Sequence, residues 1–395
     1  MSFSVRMSRV KASGIRAVMK RIAAKQGGVI SFGAGLPDPN LYPMDDLTAA
    51  CDKMLAEEGR KAFSYGMTRG YAPLLDQLVD RMKAKENVTC TKDNLVVTVG
   101  SQQGLGLVAM MFLDEGDVVV AENPSYLGAI NACRPYGVDF AGVDTDDDGI
   151  VIEDLERVLK ETPKAKMIYV IPNFQNPTGK AWTLERRQRF MDVVSQYDVM
   201  VVEDNPYGDI RFKGEPLPSL KSMDAKGQVV YLGSFSKVLS PGLRVAWMCA
   251  APEVAAMAEQ LKETLDLQSP EFTQMLVSYY LKMYDLDAHV AGIQAAYKKR
   301  SDLMLECIAK YFPASVKYTQ PEGGMFLWLE LPDGVEADAV LDDAIEAGVA
   351  YVPGDSFFAN DGPKNTIRMN FTTVSDEQIK EGIQILGDVF KKHMK

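Results

Sequence analysis

Residues 229–248 read VVYLGSFSKVLSPGLRVAWM. The two ends, 229–232 and 243–248, are short apolar runs rich in β-branched and aromatic residues, the pattern of buried strands, and the polar middle is the loop that joins them. Lys237 sits on that loop, with Ser236 one position before it, Ser234 three before it and Arg244 seven after it. A lysine held between buried strands loses solvation, which lowers the proton affinity of its amine and frees it for Schiff-base chemistry. Hydroxyls and an arginine close by are what a phosphate-bearing aldehyde needs. Taken alone, a serine-rich loop with a lysine is also an ordinary solvated turn, so the surrounding sequence must discriminate.

Upstream, short apolar runs at 95–99, 118–121, 167–171 and 199–202 alternate with helical stretches. Strands alternating with helices predict an α/β fold, a mostly parallel sheet covered by helices whose working residues gather on loops at the strands' carboxyl ends. After about residue 285 the pattern changes to a long polar helix near 288–311, then strands at 324–331 and 366–371 separated by a helix, a smaller α+β domain. The expected division is an N-terminal segment, 1–46, packing with the small domain and the active site, a large domain, 47–285, and a small C-terminal domain, 286–395.

A chain of 395 residues with 47% hydrophobic content has material for a large core. Its 43 basic against 54 acidic residues give a formal charge of −11, which argues against a nucleic-acid or anionic-membrane partner. The longest apolar run, near 104–113, is too short to cross a bilayer and reads as a buried helix. Cys51, Cys90, Cys133, Cys249 and Cys307 stand singly, without metal-ligand spacing, which suits a reducing, cytoplasmic setting. His289 and His393 lie away from every motif, so neither a metal site nor a Ser/His/Asp triad is expected. Up to residue 37 the chain carries Arg6, Arg9, Lys11, Arg16, Lys20, Arg21 and Lys25 and no acidic residue. A transit peptide has that composition, but Ile15, Val18, Met19 and Ile22 form an apolar helical stripe. The expectation is a helix over about 13–25 that packs on the folded protein and faces an anionic ligand.

Other strand ends carry chemistry. Residues 100–112, GSQQGLGLVAMMF, open a turn directly into an apolar helix. The unpaired amides of a first helical turn, with the helix dipole, make an anion site, and Ser101 and Gln102 add donors. AENPSY at 121–126 places Tyr126 at the sheet's edge, where it can stack on a flat heterocycle. PNFQNPTG at 172–179 sets Asn176, a donor for a phenolate oxygen, in a turn that continues neither helix nor sheet. VMVVEDNPYGD at 199–209 ends a buried strand in Glu203 and Asp204, with Tyr207 three residues on. A carboxylate there is costly unless it meets a cation such as a protonated pyridine nitrogen.

Together these motifs resemble the fold-type I family of pyridoxal-phosphate enzymes, specifically the class I/II aminotransferases. The resemblance extends through SFGAGLPD at 31–38, YGMTRG at 65–70 and IRMNFT at 367–372, with SFSKVLSPGLR its most specific motif. It implies a large domain with a mostly parallel seven-stranded sheet. It also implies that Lys237 is the Schiff-base lysine, Asp204 the partner of the pyridine nitrogen, and Asn176 and Tyr207 the donors to the ring's phenolic oxygen. Tyr126 matches the stacking aromatic, Ser101, Gln102, Gln103, Ser234, Ser236 and Arg244 the phosphate cup, and Tyr65 a phosphate ligand reaching into the neighbouring subunit of a homodimer. Arg368 matches the arginine that forks onto the substrate α-carboxylate, a task lysine does poorly. Gly35 lets the backbone approach that carboxylate.

SGIRAVMKRI with ISFGAGLPDPNLYP is most similar to the branch of 2-aminoadipate, kynurenine and multisubstrate aminotransferases, in which Arg16 falls where side-chain recognition residues stand. Ala246 and Leu75 depart from the family's usual glycine and arginine. The implied reaction is a ping-pong transfer of an amino group from an L-amino acid of 2-aminoadipate, glutamate, aromatic or branched-chain type to a 2-oxo acid such as 2-oxoglutarate. Lys237 is its proton-transfer base. The rivals are a β-lyase or decarboxylase of the same fold and a non-enzymatic regulatory domain.

Overall fold

The computed structural model describes residues 3–11, 18, 20–22, 25 and 28–394. Its strands are β1 (Ile30–Ser31), β2 (Leu95–Thr98), β3 (Val118–Asn123), β4 (Asp139–Asp146), β5 (Gly149–Ile150), β6 (Ala165–Val170), β7 (Met200–Asp204), β8 (Val229–Ser234), β9 (Ala246–Cys249), β10 (Lys317–Tyr318), β11 (Phe326–Glu330), β12 (Val349–Ala350), β13 (Val352–Pro353) and β14 (Thr366–Asn370). The large sheet runs β2-β9-β8-β7-β6-β3-β4-β5. From β8 to β4 all pairs are parallel, while β9 is antiparallel to both its neighbours. The sheet is thus the expected seven strands plus β5, a two-residue edge strand antiparallel to β4.

Side chains alternate across a strand, so a strand covered on both faces must be apolar throughout. Val119, Met167, Tyr169, Val202 and Val230 belong to one core with Leu105 and Val108 of the helix Ser101–Phe112. Their neighbours Val120, Ile168, Val170, Val201 and Val229 belong to the other, with Leu155 of the helix Ile152–Glu161 and Phe190 of the helix Leu184–Val194. Two local expectations change. The stretch 243–245 is not strand: Pro241–Leu243 is a 3-10 turn forced by Pro-Gly, Arg244 has φ 54°, and β9 begins only at Ala246. Nothing in the apolar pattern signalled β4, because this near-edge strand leaves much of itself to solvent.

The chain beyond residue 285 opens with the helix Leu286–Tyr311 and builds the antiparallel sheet β10-β11-β14-β13. β1 pairs in parallel with β12. The following segment is pinned to the same unit: Asn370 N donates to Phe32 O at 2.7 Å, Thr372 Oγ1 to Leu36 O at 2.7 Å, and Arg300 pairs with buried Asp38 at 2.7 Å.

Arg16, Ile15 and Met19 lie outside the described residues. Among those described, three of the basic N-terminal side chains meet acidic groups of this chain. Arg21 bridges Asp338 and Asp342 on the helix Ala337–Ala347, Lys25 reaches Glu346 on that helix, and Arg9 pairs with Glu115. A chain of charge −11 supplies countercharges close at hand. Val18 is buried in the main core, as the stripe predicts.

Candidate active site

β7 delivers Asp204 from the core at its last residue, and β8 with its turn delivers Ser234, Ser236 and Lys237 beside it. Asp204 is 2% exposed; its Oδ2 accepts from Tyr169 Oη at 2.8 Å, and its Oδ1 is buried without a partner. Burial raises this carboxyl to about 6, against the opposing pull of Tyr169 and Lys237. Lys237 Nζ donates to Gly35 O at 3.2 Å. Burial, with the guanidinium groups of Arg368 and Arg244, pushes its ammonium down to about 8.

Arg368 comes from the middle of β14, fully buried at 1% exposure. Among the described residues no carboxylate is paired with it. Nη1 donates to Asn176 Oδ1 at 3.0 Å and Nη2 to Gly33 O at 2.9 Å, while Nε is unpartnered. The rings of Phe326 and Phe357 stand 4.5 and 4.9 Å from the guanidinium carbon, two cation–π contacts. Burial lowers the group to about 10. Asn176 Nδ2 donates to Tyr207 Oη at 3.3 Å, so the one amide links the arginine to the tyrosine. Gly35 lies against Arg368: a Cβ there would stand 3.7 Å from Nη2.

The residues expected to form the anion cup gather at the start of the helix Ser101–Phe112. Ser101 Oγ is buried and unpartnered, Ser234 Oγ accepts from Ser236 N at 3.0 Å, and Arg244 Nη2 donates to Val99 O at 3.0 Å. Gly100, at φ 78°, is required: a Cβ would fall 2.2 Å from Arg244 Nη2. Gln102 donates to Gly128 O at 3.1 Å. Gln103 turns away, accepting from Val99 N at 2.8 Å and donating to Asp266. Tyr126 caps the helix Leu127–Cys133, its ring folded over Gly128 so closely that a Cβ there would lie 2.4 Å away. Tyr65 is not brought to this cluster; it is 85% exposed.

Four contributors escaped the sequence: Tyr169, the Gly33 carbonyl, Phe326 and Phe357. Only Tyr169 carried a signal, a polar-tipped ring inside the buried apolar stretch 167–170 of β6. The loop bearing Asn176 has its own staple, buried Glu122, which accepts from Ile171 N and from Trp182 Nε1, each at 2.9 Å. Among the described residues no cluster of His, Cys, Asp and Glu could hold a metal ion.

The orphaned Asp204 Oδ1 and Ser101 Oγ call for a ring nitrogen and an anion at one site. Pyridoxal phosphate carries both, along with an aldehyde for a deprotonated amine, so the site is that of a pyridoxal-phosphate enzyme. Comparison with known proteins narrows the class. Residues 28–386 match the profile of the family Aminotransferase class I and II. The aromatic-amino-acid aminotransferase 1 of Thermococcus litoralis is 40% identical, covering 100% of this chain and 95% of its own. The 2-aminoadipate transaminase of Thermus thermophilus is also 40% identical, over 99% and 96%. The crystal structure of Pyrococcus horikoshii kynurenine aminotransferase superimposes with a TM-score of 0.95 at 38% identity, over 100% of this chain and 98% of that one. The chain belongs to the class I and II aminotransferases, and it is a pyridoxal-phosphate-dependent transaminase.

Proposed function

We propose that this transaminase takes L-amino acids with acidic or aromatic side chains, 2-aminoadipate, glutamate and the aromatic amino acids first and branched-chain ones after them, and uses 2-oxoglutarate as acceptor. The observation that carries the reading is Arg368: a buried, forked guanidinium without a countercharge, held beside Lys237 by the backbone of residues 33–35. The names of the relatives support the substrate range. Arg368 and Gly35 bind the α-carboxylate common to donor and acceptor, and Arg16 favours acidic side chains.

Bound pyridoxal phosphate supplies an aldehyde for the amino group and a ring that withdraws electrons from Cα. Lys237 holds the cofactor, and its freed Nζ takes the Cα proton. Asp204 keeps the ring nitrogen protonated, Asn176 and Tyr207 donate to the phenolic oxygen, and Tyr126 stacks on the ring. Ser101, Gln102, Ser234, Ser236 and Arg244 bind the phosphate. Gln103 braces the cup through Val99 N.

The partner subunit completes the cup with its own Tyr65. Supporting a homodimer, Phe63, Tyr65 and Met67 are 76, 85 and 70% exposed. A monomer by sedimentation at assay concentration removes that part of the reading. Independently of the dimer, the reading divides the chain into 1–46, 47–285 and 286–395, the first part packing with the small domain and the active site. Five free cysteines and the lack, among the described residues, of any helix able to cross a membrane fit a cytoplasmic setting. The test is spectroscopic. A preferred donor bleaches the purified protein's visible cofactor band, and 2-oxoglutarate restores it with one 2-oxo acid formed per amino group moved. Release of ammonia or carbon dioxide instead overturns the reading.

A further inference from the structure

We propose that Tyr169 is the positioning residue that fixes which oxygen of Asp204 faces the cofactor and holds that carboxylate ionised. The proposal rests on the assignment of Asp204 to the ring nitrogen. β6 and β7 are parallel neighbours in which Tyr169 stands opposite Val202. Two residues further along β7, Asp204 points to the same side of the sheet as Val202. A tyrosine's length spans that offset, and its hydroxyl meets Oδ2 at 2.8 Å. The register of the sheet therefore sets the contact.

The rest of the surroundings make this contact decisive. Among the described residues Tyr169 is the one hydrogen-bond donor to Asp204, and no arginine or lysine is paired with it. A buried carboxylate without such help takes up a proton. Tyr169 is itself buried at 1% exposure, and burial beside Asp204 raises its phenol well above the ordinary range. It remains a donor at every working pH. With Oδ2 engaged, Oδ1 is the oxygen left to accept from the ring nitrogen. An ionised Asp204 in turn keeps that nitrogen protonated.

The test uses the full chain with and without pyridoxal phosphate and reads cofactor binding, not turnover. Tyr169→Phe removes one hydroxyl. The expected result is an approximately tenfold weaker dissociation constant by fluorescence titration, the size of one charge-assisted hydrogen bond. The pH midpoint of the loaded protein's visible band should also move upward, because a less protonated ring withdraws fewer electrons from the lysine nitrogen. In an Asp204→Asn background the same change should add nothing to either measurement. If Tyr169→Phe is too unstable to measure, 3-fluorotyrosine at 169 keeps the fold. Its stronger donor should move the band midpoint downward. If Asp204→Asn weakens cofactor binding but both Tyr169 variants leave affinity and midpoint unchanged, Tyr169 has no such role. If Asp204→Asn itself leaves binding unchanged, the assignment of Asp204 fails first.

Discussion

Lys237 and Arg368 are two neighbouring cations, both perturbed by burial in the direction their proposed tasks need. Burial and two arginines bring the Lys237 ammonium down to about 8, so the reactive neutral amine grows in as pH rises through that value. The rate at which cofactor-free protein captures pyridoxal phosphate should follow this curve, measured by stopped-flow absorbance at constant salt. A rate independent of pH from about 7 to about 9 contradicts the assignment. Arg368→Lys keeps the charge but loses the fork between Asn176 and Gly33 and the contacts to Phe326 and Phe357. It should raise the KM of every amino and oxo acid about a hundredfold, the worth of a bidentate charge pair, while the cofactor band stays in place. A change confined to one substrate would place Arg368 on side chains instead. These two residues were legible because each lies in a string too particular to be chance. Phe326 and Phe357 were not: a buried aromatic is the ordinary content of a core, and only the geometry gives theirs a partner.

At the level of elements the proposed anion cup depends on a meeting of two backbone oddities, Gly100 at φ 78° before the helix Ser101–Phe112 and Arg244 at φ 54° before β9. The left-handed region is open to glycine and costly to other residues. Gly100→Ala adds that strain and drives a methyl into Arg244 Nη2. Its expected effect is at least about a tenfold loss of pyridoxal-phosphate affinity, with KM for substrate nearly unchanged in the loaded enzyme. Equal affinity would mean that Arg244 stands clear of the cup. The sheet's central strands were visible in the sequence because double burial leaves continuous apolar runs. β4 was invisible for the converse reason, since DFAGVDTD carries as many polar as apolar positions. The false extension of the strand across 243–245 shows the same limit: Leu243 and Val245 have strand-like composition, but the turn at Pro241–Gly242 overrides it.

Over the whole molecule, several carboxyls are shut away, wholly or in part, without a full countercharge: Glu122 and Asp204 are buried and Glu86 is half-buried. Burial, with Asp209 and Glu203 adding to it, raises Glu86 to about 8; burial raises Glu122 to about 7 and Asp204 to about 6. Each binds its proton more tightly folded than unfolded, so its stabilising contribution is complete below the ordinary carboxylate range and is lost as pH rises through the folded value. The cofactor-free protein should therefore melt at falling temperature from about pH 5 to about pH 8, as read by calorimetry. Glu86→Gln, which cannot ionise, should flatten that fall, and parallel curves for the two proteins would show that Glu86 titrates normally. Residues 33–35 act at the same scale. Their segment is fastened to the small sheet, yet Gly33 O holds Arg368 and Gly35 O holds Lys237. Two peptide carbonyls of one tripeptide thus do the work of solvent for two neighbouring side-chain cations. On the proposed roles both carbonyls are placeholders: cofactor held by Lys237 would take that amine from Gly35 O, and an arriving carboxylate would take a guanidinium hydrogen bond from Gly33 O.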